Sequence, residues 1–331
     1  MVYNKYIGII GGTGTIGSII VKYLLQLQTH FHVLIGGRRS IKEISMSTFY
    51  NSERLKYNQM NYNNDVELDN FCSQCLLVIN AVGPSFKIND KIALHALRNN
   101  CHYIDIGGYG ILRDLLKPYE KSIEAQKLCF IIGVGWMPGI SGVFSKTIIE
   151  THLNSPENTN FNIYYGAVDN WSYSSTYDLA ASSMGKTRSY VYSHGKEIQV
   201  SPFRYTHHKF FPFIGHKKIC MPSFDEQLTQ LATSLKQIRK ISTFIMLNDY
   251  ISMGKFMFIK IFYKHNLNKA TLMLQDDYQR LVKKENKWGS VICQVSKIEP
   301  ERKIDTFYYL YTKNNLLYTA CLLYTSPSPR D

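Results

Sequence analysis

A short apolar run, Lys5-Tyr-Ile-Gly-Ile-Ile10, leads directly into Gly11-Gly-Thr-Gly-Thr-Ile-Gly17, and from Ser18 to Leu27 apolar residues recur at helical spacing. Four glycines between a buried strand and a helix leave few folds open. The segment satisfies G-x-G-x-x-G at Gly12, Gly14 and Gly17, and G-x-x-G-x-x-G at Gly11, Gly14 and Gly17. One glycine makes a tight turn, one lets backbone approach a pyrophosphate, and one lets helix pack on strand. The helix N-terminus then offers free N–H groups and the positive end of its dipole to phosphate. The contact residues expected here are Gly11, Gly12, Thr13, Gly14, Thr15, Ile16 and Gly17. A glycine-rich turn that serves packing alone is the alternative, and the strand–turn–helix context argues against it.

The second expected strand, His32–Gly36, ends in Gly37-Arg38-Arg39-Ser40. A site for NAD usually has an acid there to accept from the ribose 2′-hydroxyl. None occurs before Glu43. Arg38 and Arg39 suit a 2′-phosphate, which guanidinium groups hold by charge-assisted bonds, so NADP is expected before NAD.

The strand–helix unit then repeats. Arg54–Asn61 reads as a strand, Val66–Ser73 as a helix, and Leu76–Asn80 as a buried strand opening into Ala81-Val-Gly-Pro-Ser85. Asn80, Ala81, Val82 and Gly83 are expected along the cofactor, since cofactors lie at the carboxyl ends of such strands. A helix over Asp90–Asn99 and a strand over His102–Ile106 follow, with Gly107 at another open strand end. Leu112–Lys127 reads as a helix kinked at Pro118, and Leu128–Ile132 as a sixth strand. The class is α/β, with a doubly wound parallel sheet over residues 1–150 and a second, mixed α/β domain over 151–320.

Four of these segments, in order, resemble the saccharopine dehydrogenase-like family. They are Gly11–Gly17, Val78-Ile-Asn-Ala-Val-Gly-Pro84, His102-Tyr-Ile-Asp-Ile-Gly-Gly108 and Gly135-Trp-Met-Pro-Gly-Ile-Ser-Gly142. Fainter likeness runs through Ser172–Asp178 and Met184–Arg188. The resemblance implies an NAD(P)-dependent oxidoreductase acting on a carbon–nitrogen bond, an imine or a secondary amine. It also implies a second domain with a mixed sheet. The family often has Glu where Tyr109 stands and Asp where Met137 stands, so saccharopine itself is not implied as substrate.

The formal net charge is +13, and residues 201–320 hold nineteen Lys or Arg against nine Asp or Glu. This is a solvated basic surface, or one that draws an anionic substrate or an anionic membrane surface. No nucleic-acid-binding module accompanies it. The expected partners are a small-molecule substrate and a second copy in a homodimer, with no nucleic acid and no integral membrane segment. Cys72 and Cys75 form a lone C-x-x-C without further ligands, which reads as structural, and no metal is expected. With no signal peptide before Tyr6, a cytoplasmic location is expected. The last eleven residues, Cys321–Asp331, match a translated sequencing adapter, so Ala320 is read as the last authentic residue of a chain that continues naturally beyond it.

In the second half, Phe161–Ala167 reads as a strand, Ser189–Val200 as a hairpin and Asp225–Lys240 as a helix. Ser242–His265 is expected to be an apolar helix or helix pair, buried or packed on a partner rather than lying on a membrane. Trp288–Val295 and Thr306–Leu310 read as strands. Hydride transfer needs no protein nucleophile, but a proton must come from somewhere. Tyr109, Ser141, Tyr173 and Asp178 are the candidates, each with packing or capping as its plainer role. A short-chain reductase or epimerase would need Tyr-x-x-x-Lys on a helix. That spacing occurs at Tyr192/Lys196, Tyr205/Lys209 and Tyr309/Lys313, all in expected strands or loops. A non-catalytic NADP-binding sensor or scaffold is the remaining alternative.

Overall fold

The computed structural model describes residues 5–27, 30–40, 52–108, 110–154, 156–185, 189–223, 226–316 and 319. Tyr109 and the tail 321–331 lie outside the described residues. The described chain divides into two compact units, one reaching Gly139 and the other Ile140–Asn315.

The first unit is built on six parallel strands: β1 (Tyr6–Ile10), β2 (Val33–Gly37), β3 (Leu55–Gln59), β4 (Cys75–Asn80), β5 (His102–Asp105) and β6 (Phe130–Ile132). Their order is β3-β2-β1-β4-β5-β6. Sequential addition outward in both directions from β1 makes this a doubly wound sheet, whose switch point lies between β1 and β4. Ile9 pairs in register with Ile35 and Ile79, and Ile10 with Asn80. Side chains alternate across the sheet. Ile9, Ile35 and Ile79 therefore pack with Ile20 and Val21 of the first helix on one face. Ile10, Leu34 and Val78 pack with Leu68, Phe71 and Ile92 on the other. Both faces are covered, which explains the continuous apolar runs. Cys72, Cys75 and Cys101 are buried in that second cluster, and burial pushes all three thiols up, Cys101 to about 11. The helix expected over Leu112–Lys127 is broken at Pro118 into Gly110–Leu116, a 3-10 turn and Glu120–Ala125, because Pro cannot donate within a helix.

The second unit carries a mixed sheet of β7 (Thr159–Val168), β10 (His207–Phe211), β11 (His216–Pro222), β12 (Lys240–Leu247), β13 (Trp288–Ile298) and β14 (Lys303–Thr312), in the order β10-β11-β12-β7-β13-β14. A hairpin of β8 (Ser189–Ser193) and β9 (Lys196–Val200) attaches to β12. β7 and β12 are parallel; the other pairs in the order are antiparallel.

Two expectations fail here. The helix expected over Asp225–Lys240 ends at Ser234, and Ser242–His265 is a strand followed by a helix, Tyr250–Phe262. Ile-Ser-Thr-Phe-Ile-Met-Leu is a buried central strand, and an apolar run of that length has no period that separates strand from helix. The helix begins where Asp249 accepts from the Ser252 N–H at 2.8 Å and receives Arg280 through both carboxylate oxygens, at 2.6 and 2.9 Å. An 18-residue helix, Leu267–Lys284, has no counterpart among the elements that the sequence predicts. No described helix is long and apolar enough to cross a membrane.

Candidate cofactor site

At the carboxyl end of β1 the chain turns sharply. Gly11 has φ +85°, its N–H donates to the Gly36 carbonyl at 2.8 Å, and its carbonyl accepts from Gly14 N–H at 2.8 Å. A Cβ on Gly17 would lie 2.2 Å from the Gly11 oxygen and 2.8 Å from the Gly12 Cα. That contact is what brings the helix Thr15–Gln26 hard against the strand. Gly14 differs: a Cβ there would meet only the Gly11 oxygen, at 3.1 Å. Gly14 is also the N-cap, and no side chain caps the helix. Its first-turn amides are therefore open to an acceptor supplied from outside.

The other residues singled out in this unit converge on the same strand ends. The Ala81 N–H donates to the Ile10 carbonyl at 2.9 Å, and a Cβ on Gly11 would strike Val82 and Ala81. Gly83 leads into Pro84 through a cis peptide, and a Cβ on Gly107 would overlap Ser85. Arg38 and Arg39 are exposed at the end of β2. They are not equivalent. The Arg39 guanidinium donates to the Thr13 carbonyl at 2.8 Å, tying β2 to the glycine turn. The Tyr57 hydroxyl donates to the Arg39 carbonyl at 2.5 Å, and Gln59 donates to the Arg38 carbonyl at 3.4 Å. The backbone of both arginines is thus held while the Arg38 guanidinium faces solvent.

Asn80 is buried, and both ends of its side-chain amide are hydrogen-bonded. Its Nδ2 donates to Asp105 Oδ2 at 2.8 Å, and its Oδ1 accepts from Val82 N–H at 3.0 Å. The Tyr103 hydroxyl donates to the same Asp105 oxygen at 2.6 Å. Asp105 Oδ1 lies toward the Gly107 and Gly108 amides but completes no hydrogen bond. Asp105 therefore orients Asn80, and Asn80 shapes the loop Ala81–Gly83. Sequence reasoning missed this pair, although Asn80 and Asp105 stand at matching strand ends in both singled-out segments.

Burial pushes the Asp105 carboxyl above the ordinary carboxylate range, against the lowering pull of Tyr103 and Asn80. The ionised form is thus disfavoured in the fold. Its contribution is neutral below about pH 4, where both folded and unfolded chains are protonated, and becomes destabilising as pH rises toward the folded value. Asp105→Asn is accordingly expected to gain stability relative to the parent as pH rises from about 4. Thermal midpoints of both proteins across the acid range test this; a difference that moves the other way would overturn it.

Ser141, Tyr173 and Asp178 belong to the second unit. Ser141 is buried in the helix Ile140–Glu150, the Tyr173 hydroxyl donates to Asn268 at 2.9 Å, and Asp178 is buried in the helix Tyr173–Gly185. None of the three Tyr-x-x-x-Lys pairs shares a helix. Tyr192 and Lys196 sit on either side of the β8–β9 turn, Lys209 is on β10, and Tyr309 is on β14. Among the described residues no group of three His, Cys, Asp or Glu could hold a metal.

The strand order, the glycine turn and the uncapped helix define a dinucleotide-binding domain of the doubly wound type. Residues 7–129 match the family model described as the saccharopine dehydrogenase NADP binding domain. Over those residues the first unit is similar to that NADP-binding domain. Over the whole chain the fold is similar to apo saccharopine dehydrogenase (L-Glu forming) from Saccharomyces cerevisiae. The TM-score is 0.62 at 12% identity, covering 96% of this chain and 88% of that one. C. glutamicum DAP dehydrogenase in complex with DAP gives a TM-score of 0.45 at 11% identity, over 96% of this chain and 86% of that one. A short-chain dehydrogenase/reductase from Veillonella parvula, in complex with NADP, gives 0.30 at 19% identity, over 39% and 67%. Comparison with curated proteins finds no match.

Proposed function

We propose that this protein is an NADPH-dependent oxidoreductase that transfers hydride at a carbon–nitrogen bond, reducing an imine or oxidising a secondary amine. The observation that carries the reading is the Gly11–Gly17 turn, with its open Gly14 and uncapped helix, inside a domain similar to the saccharopine dehydrogenase NADP binding domain. The Gly14–Gly17 amides would hold the pyrophosphate, Arg38 the 2′-phosphate, and the loop Ala81–Gly83 the nicotinamide side. When bound, NADPH supplies the hydride; the protein orients it and excludes competing reactions. The carbon–nitrogen bond follows from the family's namesake, saccharopine, which is a secondary amine. The saccharopine dehydrogenase fold of the whole chain is consistent with it.

A panel of 2-keto acids, each with an amino acid or amine, incubated with NADPH tests the reading. NADPH oxidation that needs both partners is the expected result. Tight NADPH binding with no turnover on any pair would favour a sensor or scaffold. Turnover of simple ketones without an amine would favour a carbonyl reductase.

A further inference from the structure

The Tyr250–Phe262 helix has two apolar faces. On the inner one Ser252, Phe256 and Ile259 are buried, and the last two join Leu247, Ala270 and Leu274 in a core cluster. On the outer one Tyr250, Ile251, Phe258, Ile261 and Phe262 are exposed, by 65, 51, 39, 64 and 66%. At about 100° per residue the five fall within roughly 120° of the helix circumference, a single stripe. Gly254 lies within it, and a Cβ there would touch nothing within 4 Å. The Phe258 and Phe262 rings lie 4.5 Å apart along the stripe. Single exposed apolar residues need no explanation, but five large ones on one helix mark an interaction surface.

Charge selects the occupant. From Tyr250 to Gln275 the chain has Lys255, Lys260, Lys264 and Lys269 and no Asp or Glu. Lys264, His265 and Lys269 are exposed just beyond the Phe258–Phe262 end of the helix. The next acids along the chain, Asp276 and Asp277, are already paired with Lys255 at 2.7 and 3.4 Å. Lys264 and Lys269, with no acid between Tyr250 and Gln275 to pair them, call for an occupant that carries negative charge. An anionic bilayer would neutralise them. Aromatic and aliphatic side chains on one face, with lysines at its border, are what lets a helix lie in the plane of a membrane interface.

We propose that the Tyr250–Phe262 helix is a peripheral membrane-binding element. It lies flat on an anionic phospholipid surface, with its outer stripe at the acyl boundary and Lys264 and Lys269 at the phosphates. The chain would thereby work at a membrane without spanning it. The reading is independent of the oxidoreductase proposal, because it rests on the second unit alone.

Co-sedimentation with phosphatidylcholine vesicles, with and without about one-third phosphatidylserine, tests it at roughly 0.1 M salt. Binding to the anionic vesicles, weak binding to the neutral ones and loss in roughly 1 M salt are expected. Ile261→Ser with Phe262→Ser should weaken binding by roughly tenfold or more, since two apolar side chains no longer leave water. Lys264→Ser with Lys269→Ser should weaken it by about 25-fold, at about fivefold per lysine near the surface. All four sites are exposed, so unchanged circular dichroism and NADPH binding would show that the fold persists. Equal affinity for neutral and anionic vesicles, or none for either, overturns the proposal. So does self-association in sedimentation velocity that the apolar pair abolishes while no vesicle binding is seen; the stripe would then be a dimer face.

Discussion

Arg38→Ala is expected to weaken NADPH binding by about 10- to 150-fold while leaving NADH within about twofold, because one charge-assisted contact to a 2′-phosphate contributes about 1.5–3 kcal/mol. The asymmetry depends on the division of labour between the two arginines. Arg38 presents an exposed guanidinium at the end of β2, and its backbone is held by Gln59. Arg39 spends its own on the Thr13 carbonyl. Arg39→Ala therefore loosens the glycine turn that both cofactors share, and should weaken both. Calorimetric titration of each single variant with both cofactors separates the roles. Equal losses for NADPH and NADH in Arg38→Ala, or a parent protein that prefers NADH, would make Arg38 a bystander. Removing both arginines at once would blur the distinction, since it combines a selective loss with a shared one.

Gly17→Ala should cost the first unit about 1–3 kcal/mol or more, the penalty of forcing a methyl into close-packed surroundings. The atoms it would strike, the Gly11 oxygen and the Gly12 Cα, are backbone and cannot swing aside. Helix and strand must separate, so the affinity for both cofactors falls along with the thermal midpoint. Gly14→Ala is the informative contrast. Its φ of −80° is open to alanine, and the new methyl meets only the Gly11 oxygen at 3.1 Å. The domain should keep its midpoint within a few degrees yet lose roughly tenfold in cofactor affinity, as the methyl enters the space left for the phosphates. Thermal unfolding with and without NADPH reads both quantities. A Gly17→Ala protein that melts and binds like the parent would refute the packing account, and a Gly14→Ala protein with undiminished affinity would place the pyrophosphate elsewhere.

How much of this was legible in the chain varies between the two halves. In the first, each strand was found within one or two residues, since Tyr6–Ile10, Val33–Gly37 and Cys75–Asn80 are apolar runs cut off by glycine or small polar residues. In the second, the apolar run that predicts a helix from Ser242 begins in the strand Lys240–Leu247, and no sequence pattern predicts the helix Leu267–Lys284. The first error came from a run buried on both faces, which has no periodicity to read. Leu267–Lys284 carries five buried residues, Ala270, Thr271, Leu274, Asp277 and Leu281, two of them polar, so hydrophobicity marks its inner face only faintly.

By itself the sequence determined that a dinucleotide-binding domain begins at the first strand, because the positive φ of Gly11 and the close approaches at Gly14 and Gly17 all arise within a few residues of the same turn. Only the tertiary structure decided what Arg39 does, since Thr13 lies 26 residues away. Only it joined Asn80 to Asp105 across 25 residues through the pairing of β4 with β5. It also decided which apolar residues of Tyr250–Phe262 go inside and which stay out. Both faces of that helix are hydrophobic, so its composition favours neither; the neighbours that cover Phe256 and Ile259 come from Leu247, Ala270 and Leu274, and they leave Phe258, Ile261 and Phe262 to whatever lies outside.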